Sequence, residues 1–129
     1  MAVELQFLAW AMVLGIVHLF AASFAVTRER GTRWNASARD APAKPLGPLA
    51  GRLQRAQSNF FETFPIFAAA ALAVVVAGRL DSSTALAVQL YFWARVVYLP
   101  LYALGVPYVR SLVWLVSMVG VGMLLAALL

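Results

Sequence analysis

The sequence contains no cysteine and one histidine, and these absences exclude several kinds of site. Without cysteine there are no disulfide bonds, no thiolate metal ligands and no cysteine nucleophile. The single histidine, His18, does not supply the several ligands of a histidine-rich metal centre within one chain. We therefore expect no metal-ligating residues. We interpret His18 as a hydrogen-bonded packing residue rather than a proton relay.

The sequence is also poor in charge. Charged residues make up 12% of the 129 residues and hydrophobic residues 64%, whereas an average soluble domain has roughly 25% charged residues. A soluble chain of this length buries only a limited fraction of its surface and would leave much of this apolar surface in water. The composition therefore predicts an integral membrane protein, and we expect residues 1–129 to form a single domain.

Four apolar stretches predict transmembrane helices at about residues 3–26, 55–77, 83–104 and 108–129. Each is close to the roughly 20 residues that cross a bilayer core. Basic residues follow the first stretch rather than precede it, so we interpret it as an uncleaved transmembrane helix and not as a signal peptide. The predicted fold class is all-α: an integral membrane four-helix bundle.

The connection at residues 27–54 is long, polar and interrupted by proline and glycine, which predicts a loop. It contains most of the basic residues, and the positive-inside rule therefore predicts that it is cytoplasmic and that both termini are periplasmic. A compact four-span chain whose other connections are short suits a bacterial inner membrane. A basic patch can also bind nucleic acid, but no nucleic-acid-binding motif is present, so we expect no such partner.

Two predicted spans contain ionisable residues. Because burying a charge in a bilayer costs free energy, such residues indicate a structural or functional role. Arg55, Asn59 and Glu62 are spaced i, i+4, i+7 and share one face of the second span. In the third span, Arg95 lies at a depth similar to that of Glu62. We expect an Arg95–Glu62 pair inside the bundle, within one chain or between chains. Such a pair is compatible with a structural role as well as a functional one.

The segment Arg52–Pro65 resembles the signature of the MAPEG family, the membrane-associated proteins in eicosanoid and glutathione metabolism. That signature reads Arg-Ala-x-x-Asn-x-x-Glu, usually followed by a proline, and the matching residues are Arg55, Ala56, Asn59, Glu62 and Pro65. The four spans and the length are also similar, so the resemblance covers essentially the whole chain. It implies a homotrimer that binds glutathione between neighbouring subunits.

The resemblance also implies roles for individual residues. By position, the glutathione contacts would be Arg55, Asn59, Glu62, Arg95 and Tyr102, with Arg28 or Arg30 as a further carboxylate contact. Arg110 would stabilise the glutathione thiolate and is the implied catalytic residue. The implied activity is that of a membrane-bound glutathione transferase or peroxidase, whose lipophilic substrate arrives through the bilayer.

Two other functions are compatible with such a chain. The family includes a non-catalytic lipid-binding scaffold, and a fold does not guarantee chemistry. A small transporter subunit is a third possibility, but the sequence has no inverted repeat to support it. Arg110 discriminates between the first two functions, because a thiolate needs a neighbouring cation and a lipid scaffold does not.

Overall fold

Signals that start and stop helices divide the chain into five helices. The computed structural model describes all 129 residues and contains no strand; its helices are α1 (Val3–Arg30), α2 (Thr32–Ala36), α3 (Pro48–Val76), α4 (Ser82–Ala103) and α5 (Val109–Leu128). All except α2 are long and apolar enough to cross a membrane. The prediction of an all-helical protein with four spans is confirmed.

Glycines terminate α3 and α4 in the same way. Gly78 and Gly105 have φ angles of 68° and 73°, a region that glycine enters without strain. In each case the amide after the glycine donates to the carbonyl five residues earlier; Val106 N–H, for example, donates to Leu101 O at 3.0 Å. This is the Schellman arrangement, which satisfies carbonyls that a helix end leaves free. Each connection is therefore a tight turn, and the helices on either side run antiparallel.

The predicted loop at residues 27–54 needs correction. The first helix continues to Arg30, α2 occupies residues 32–36, and α3 begins at Pro48 rather than near residue 55. Pro48 occupies the first turn of its helix, where proline favours helix because its missing N–H has no intrahelical partner there. At 29 residues, α3 is about 43 Å long. About two turns of α3 therefore extend beyond a bilayer core of about 30 Å.

Helix packing places α3 and α4 at the centre of the bundle. The most extensive contacts join α4 to α5 and α1 to α3, while α1 and α5 do not touch. Aromatic rings fill the middle: Phe67 and Tyr91 stack with their centroids 3.9 Å apart. His18 stacks on Phe60 at 4.8 Å. It packs as predicted, but neither ring nitrogen has a protein hydrogen-bond partner, so the predicted hydrogen bond is absent.

Many large apolar side chains point away from the bundle. Only 28 of the 129 residues are buried. Phe20 and Phe24 on α1, for example, are each 70% exposed. In water this surface would be unfavourable, whereas in a bilayer it meets acyl chains. The fold is therefore that of an integral membrane protein whose polar features lie at the ends and along α3 and α4.

Candidate anion-binding site

The connected ends of the four long helices form what we call the basic end of the bundle: the point where α1 and α4 finish and α3 and α5 begin. A cavity of about 280 Å³ opens there between α3, α4 and α5. We call it the basic cavity. The residues that line it are Arg52, Arg55, Tyr102, Gly105, Val106, Pro107 and Arg110.

Local structure explains why these side chains converge. Arg52 and Arg55 are three residues apart on α3 and so lie on neighbouring positions of one helix face. Tyr102 is in the last turn of α4, and Arg110 is in the first turn of α5. The turn at residues 104–108 joins these two helices and holds Tyr102 and Arg110 together. The basic cavity therefore combines one end of α3 with both sides of a tight turn.

Three guanidinium groups line the basic cavity, and no carboxylate is among the lining residues. Like charges in a confined space repel one another, and an arginine stays protonated at any physiological pH. Guanidinium groups bind carboxylates and other oxyanions through paired N–H donors. The chemistry of the lining therefore suits a small ligand with several negative groups.

A ladder of arginines and tyrosines leads inward from the basic cavity. The Arg110 guanidinium carbon is 4.4 Å from the Tyr102 ring centroid. The Tyr102 and Tyr98 rings meet edge to face at 5.6 Å. The Arg95 guanidinium carbon is in turn 4.4 Å from the Tyr98 ring centroid. Cation–π contacts of this length orient the guanidinium groups without neutralising their charge. The ladder links the surface cation Arg110 to the buried cation Arg95.

Arg95 bonds to a different partner from the one predicted. Its side chain is fully buried, and its Nη1 donates to Asn59 Oδ1 at 2.9 Å. Its Nε and Nη2 have no partner. Glu62 is exposed on the outer surface of α3, so the Arg95–Glu62 pair predicted within one chain does not form. Asn59 reaches Arg95 because its side chain turns toward the bundle, whereas that of Glu62 turns away from it.

Arg28 and Arg30 do not reach the basic cavity of their own chain. Both belong to the last turn of α1, whereas the sequence-based prediction placed them in the segment after the first helix. Arg30 lines a second cavity of about 380 Å³ between α1, α2 and α3, together with Trp34, Gln54 and Gln57. We call this the α1–α3 cavity. Arg28 is exposed on another side of α1. Of the predicted contacts, one chain brings together Arg55, Tyr102 and Arg110.

Sequence reasoning missed two features of this end of the molecule. Arg52 is not among the predicted site residues, although its spacing from Arg55 places both on one face of the helix. Trp34 organises the connection before α3, with the guanidinium carbons of Arg30 and Arg39 at 5.1 and 5.3 Å from its ring. The sequence did not indicate that both arginines would pack on Trp34, because the chain between them has no regular hydrophobic periodicity.

Comparison with known proteins gives one finding. The sequence profile described as the MAPEG family matches residues 7–129, which is nearly the whole chain. No curated protein sequence matches the chain at a significant level.

Proposed function

We propose, because the chain belongs to the MAPEG family, that this integral membrane protein binds glutathione in the basic cavity and activates its thiol. The activated thiol would attack a lipophilic electrophile or a lipid hydroperoxide. The observation that carries the proposal is the convergence of three guanidinium groups on one cavity without a lining carboxylate.

Glutathione matches the charges at this end of the molecule. It carries two carboxylates, one ammonium group and one thiol. Arg55 and, as a further contact, Arg28 or Arg30 would hold the carboxylates through bidentate bonds. Glu62, which is exposed on the same helix, would accept the ammonium group. This pairing accounts for a carboxylate placed among arginines on a membrane-spanning helix, where an unpaired charge would be costly.

Arg110 is the residue best placed to activate the thiol. A free thiol has a pKa of about 8.5 and is mostly protonated at neutral pH. A guanidinium beside the sulfur stabilises the thiolate, lowers the pKa of the thiol and releases its proton to water. Tyr102 packs against Arg110 and would hold the guanidinium in place. Arg110 is half-buried, so its charge would be less screened than that of a fully exposed arginine.

In both proposed reactions the glutathione thiolate is the nucleophile. In conjugation, the thiolate forms a sulfur–carbon bond, and a leaving group departs with the bonding electron pair. In peroxide reduction, the thiolate attacks the terminal oxygen and the alkoxide leaves, taking up a proton to become an alcohol. A second glutathione then converts the sulfenic acid of the first to a disulfide and water. Both routes begin with the thiolate that Arg110 would stabilise.

The site would be completed by a neighbouring subunit. The outer face of α3 exposes Arg55, Ser58 and Glu62, and a membrane protein covers such a face with protein or water rather than with lipid. The α1–α3 cavity and the basic cavity lie on opposite flanks of α3. A ring of identical subunits would bring the α1–α3 cavity of one subunit, with Arg30, toward the basic cavity of the next. This arrangement supports a homotrimer in which Arg28 or Arg30 contacts its neighbour's glutathione.

One feature favours the alternative of a non-catalytic lipid-binding protein. A groove of about 440 Å³ lies between α4 and α5, and it is lined by the apolar residues Leu86, Leu90, Trp93, Ala94, Val97, Val113 and Val116 with Gln89 as the one polar member. Such a groove suits an acyl chain whether or not the protein catalyses a reaction. The three arginines distinguish the two functions, because an acyl chain makes no use of them.

The test is the ultraviolet difference signal of bound thiolate in the detergent-purified protein. Wild type is expected to give a saturable signal. Arg110→Ala is expected to retain glutathione binding, measured by equilibrium dialysis. Its thiolate signal per bound glutathione at pH 7 should fall about tenfold, because a neighbouring cation shifts an acid's pKa by about 1–3 units.

Arg33→Ala is the matched control, because Arg33 is exposed and lines neither cavity. Its thiolate signal should equal that of wild type. Glutathione binding without thiolate in wild type would keep the site but point away from transferase chemistry, and no binding at all would favour the lipid-binding alternative. An unchanged thiolate signal in Arg110→Ala would exclude the role assigned to Arg110.

A further inference from the structure

A guanidinium outside the predicted contact set covers the turn between α4 and α5. A Cβ atom added to Gly105 would lie 2.8 Å from Arg52 Cζ, 2.9 Å from Nη2 and 3.0 Å from Nε. These three distances are nearly equal, so the flat face of the guanidinium packs over the glycine. Arg52 Nη1 also donates to Ala103 O at 3.5 Å. Arg52 thus spans from the start of α3 to the end of α4.

Two physical effects favour this contact. The last carbonyls of a helix carry partial negative charge and lack intrahelical donors, so a cation stabilises that end. The planar guanidinium also lies flat against backbone in a way that a point-like ammonium does not. Two features favour glycine at position 105. Its φ angle of 73° disfavours a side chain, and any Cβ atom would displace the Arg52 guanidinium.

The turn that Arg52 covers carries two residues of the proposed site. Tyr102 is three residues before Gly105, and Arg110 is five residues after it. Arg55 lies one turn beyond Arg52 on α3. Any movement of the turn relative to α3 would therefore change the separation between Arg55 and the Tyr102–Arg110 pair. A site that holds a carboxylate and a thiolate at fixed positions is sensitive to such shifts.

We infer that Arg52 is a positioning residue, which fixes the α4–α5 turn against α3 and thereby sets the distance of Arg110 from Arg55. The role rests on the proposed function, because it matters to chemistry only if glutathione binds between these arginines. Arg52 would act through the turn and not by touching the sulfur. An ordinary interfacial arginine that only faces lipid headgroups would leave the turn unaffected when replaced.

Hydrogen–deuterium exchange of the detergent-purified protein tests the contact without using glutathione. The amides of Leu104, Gly105 and Val106 donate to carbonyls in the last turn of α4, and their exchange reports local opening. Arg52→Gln is expected to accelerate this exchange about fivefold to tenfold, as expected for loss of a charge at a helix end. Arg33→Gln, at an exposed position outside both cavities, should leave it unchanged.

Two further variants separate charge from shape. Arg52→Lys keeps the positive charge but loses the planar guanidinium group. The amides of the α4–α5 turn should therefore exchange at a rate closer to that of Arg52→Gln than to that of wild type. Gly105→Ala keeps Arg52 but displaces its guanidinium, and it should also accelerate exchange. In both variants the thiolate signal per bound glutathione should fall at least about threefold, whereas a purely structural defect would reduce binding and thiolate together.

The outcomes are distinguishable. If the turn amides of Arg52→Gln exchanged at the wild-type rate, the inference would be overturned whether or not glutathione binds. Full recovery of exchange and thiolate in Arg52→Lys would overturn the part assigned to the guanidinium plane, since charge alone would then fix the turn. Faster exchange of the turn in a protein whose wild type binds no glutathione would confirm the Arg52 contact and reject the proposed function.

Discussion

At the scale of single residues, two glycines of α5 show how different two positions on one helix are. A Cβ atom added to Gly120 would lie 2.5 Å from the backbone carbonyl oxygen of Ala87 on α4. The same addition at Gly122 meets nothing within 4 Å. Small residues let transmembrane helices approach closely. Gly120 therefore marks the point where α4 and α5 touch through their backbones.

Gly120→Ala is expected to destabilise the protein by about 1–3 kcal/mol, the usual cost of overpacking a close contact. The backbone atom it meets cannot rotate away, so the helices must separate. Resistance to unfolding by sodium dodecyl sulfate, followed by circular dichroism, measures the effect. Gly122→Ala is the matched control and should be neutral or slightly stabilising, because alanine is the better helix former. Equal stability of the two variants would contradict the proposed contact.

The partner of Arg95 shows where sequence reasoning about single residues stopped. The spacing of Arg55, Asn59 and Glu62 correctly indicated one polar face on α3, and the depth of Arg95 was correctly matched to it. Adjacent positions on such a face differ by about 60–100° in direction. Whether Asn59 or Glu62 turns inward depends on how α3 is rotated against α4, and packing of Phe60 and Phe67 sets that rotation. No single-sequence pattern contains this information.

At the scale of whole elements, the start of α4 is fixed by a group of side chains from two helices. Asp81 and Thr84 form a reciprocal cap: Thr84 N–H donates to Asp81 Oδ1 at 2.9 Å, and Asp81 N–H donates to Thr84 Oγ1 at 2.9 Å. The Thr84 hydroxyl also donates to Glu4 Oε1 at 2.7 Å. Glu4 is buried at the start of α1. The Thr84 side chain thus stabilises the start of α4 and links α4 to α1 through Glu4.

Thr84→Val keeps the shape of the side chain but removes the hydroxyl. It is expected to destabilise the protein by about 1–3 kcal/mol, because Asp81 N–H loses its acceptor and the buried Glu4 carboxyl loses its donor, while the bond from the residue 84 N–H to Asp81 Oδ1 remains. The transition midpoint in thermal unfolding, in detergent, gives the measurement. Ser83→Ala is the control, since Ser83 is exposed and takes part in no side-chain hydrogen bond. A Thr84→Val midpoint equal to that of Ser83→Ala would show that the hydrogen bonds of the Thr84 hydroxyl contribute nothing.

Element existence was easier to predict than element boundaries. Long apolar runs identified all four spans, because a bilayer requires about 20 apolar residues in succession. The same criterion placed the start of α3 near Arg55, since the polar turns from Pro48 onward lie outside the membrane. Those turns are helical because Pro48 starts a helix well and Gly47 N–H is held by Glu29 Oε1 at 2.7 Å. Hydropathy does not detect helix that continues into water.

At the scale of the whole molecule, one chain holds only part of the predicted site. Arg55, Tyr102 and Arg110 meet around the basic cavity, while Asn59 and Arg95 pair inside the bundle. These arrangements follow from the fold of a single chain. Arg28, Arg30 and Glu62 lie outside the lining of the basic cavity, and in our proposal a neighbouring subunit completes the site. A sequence pattern does not specify which surfaces meet in an oligomer, and this is why the second half of the site stays a prediction.

Glu62 gives the sharpest test of that second half. It lies about 10 Å along α3 from Arg55, on a surface that a single chain leaves exposed. A carboxylate there is favourable only with a cationic partner or water. Our proposal supplies the ammonium group of glutathione as that partner, in a site closed by the next subunit. Replacing the carboxylate by an amide removes the charge and keeps the shape.

Glu62→Gln is expected to weaken glutathione binding about tenfold or more, the usual consequence of losing one charge-assisted hydrogen bond of about 1.5–3 kcal/mol, or to shift the proposed trimer toward smaller species. Equilibrium dialysis and light scattering in mild detergent give the two measurements. Asp40→Asn is the control, because Asp40 is an exposed acid in the connection before α3. Weaker binding by an intact trimer would place Glu62 at the ligand, and dissociation would place it between subunits. If binding and assembly were both unchanged, Glu62 would be dispensable and the proposed site would lie elsewhere on α3.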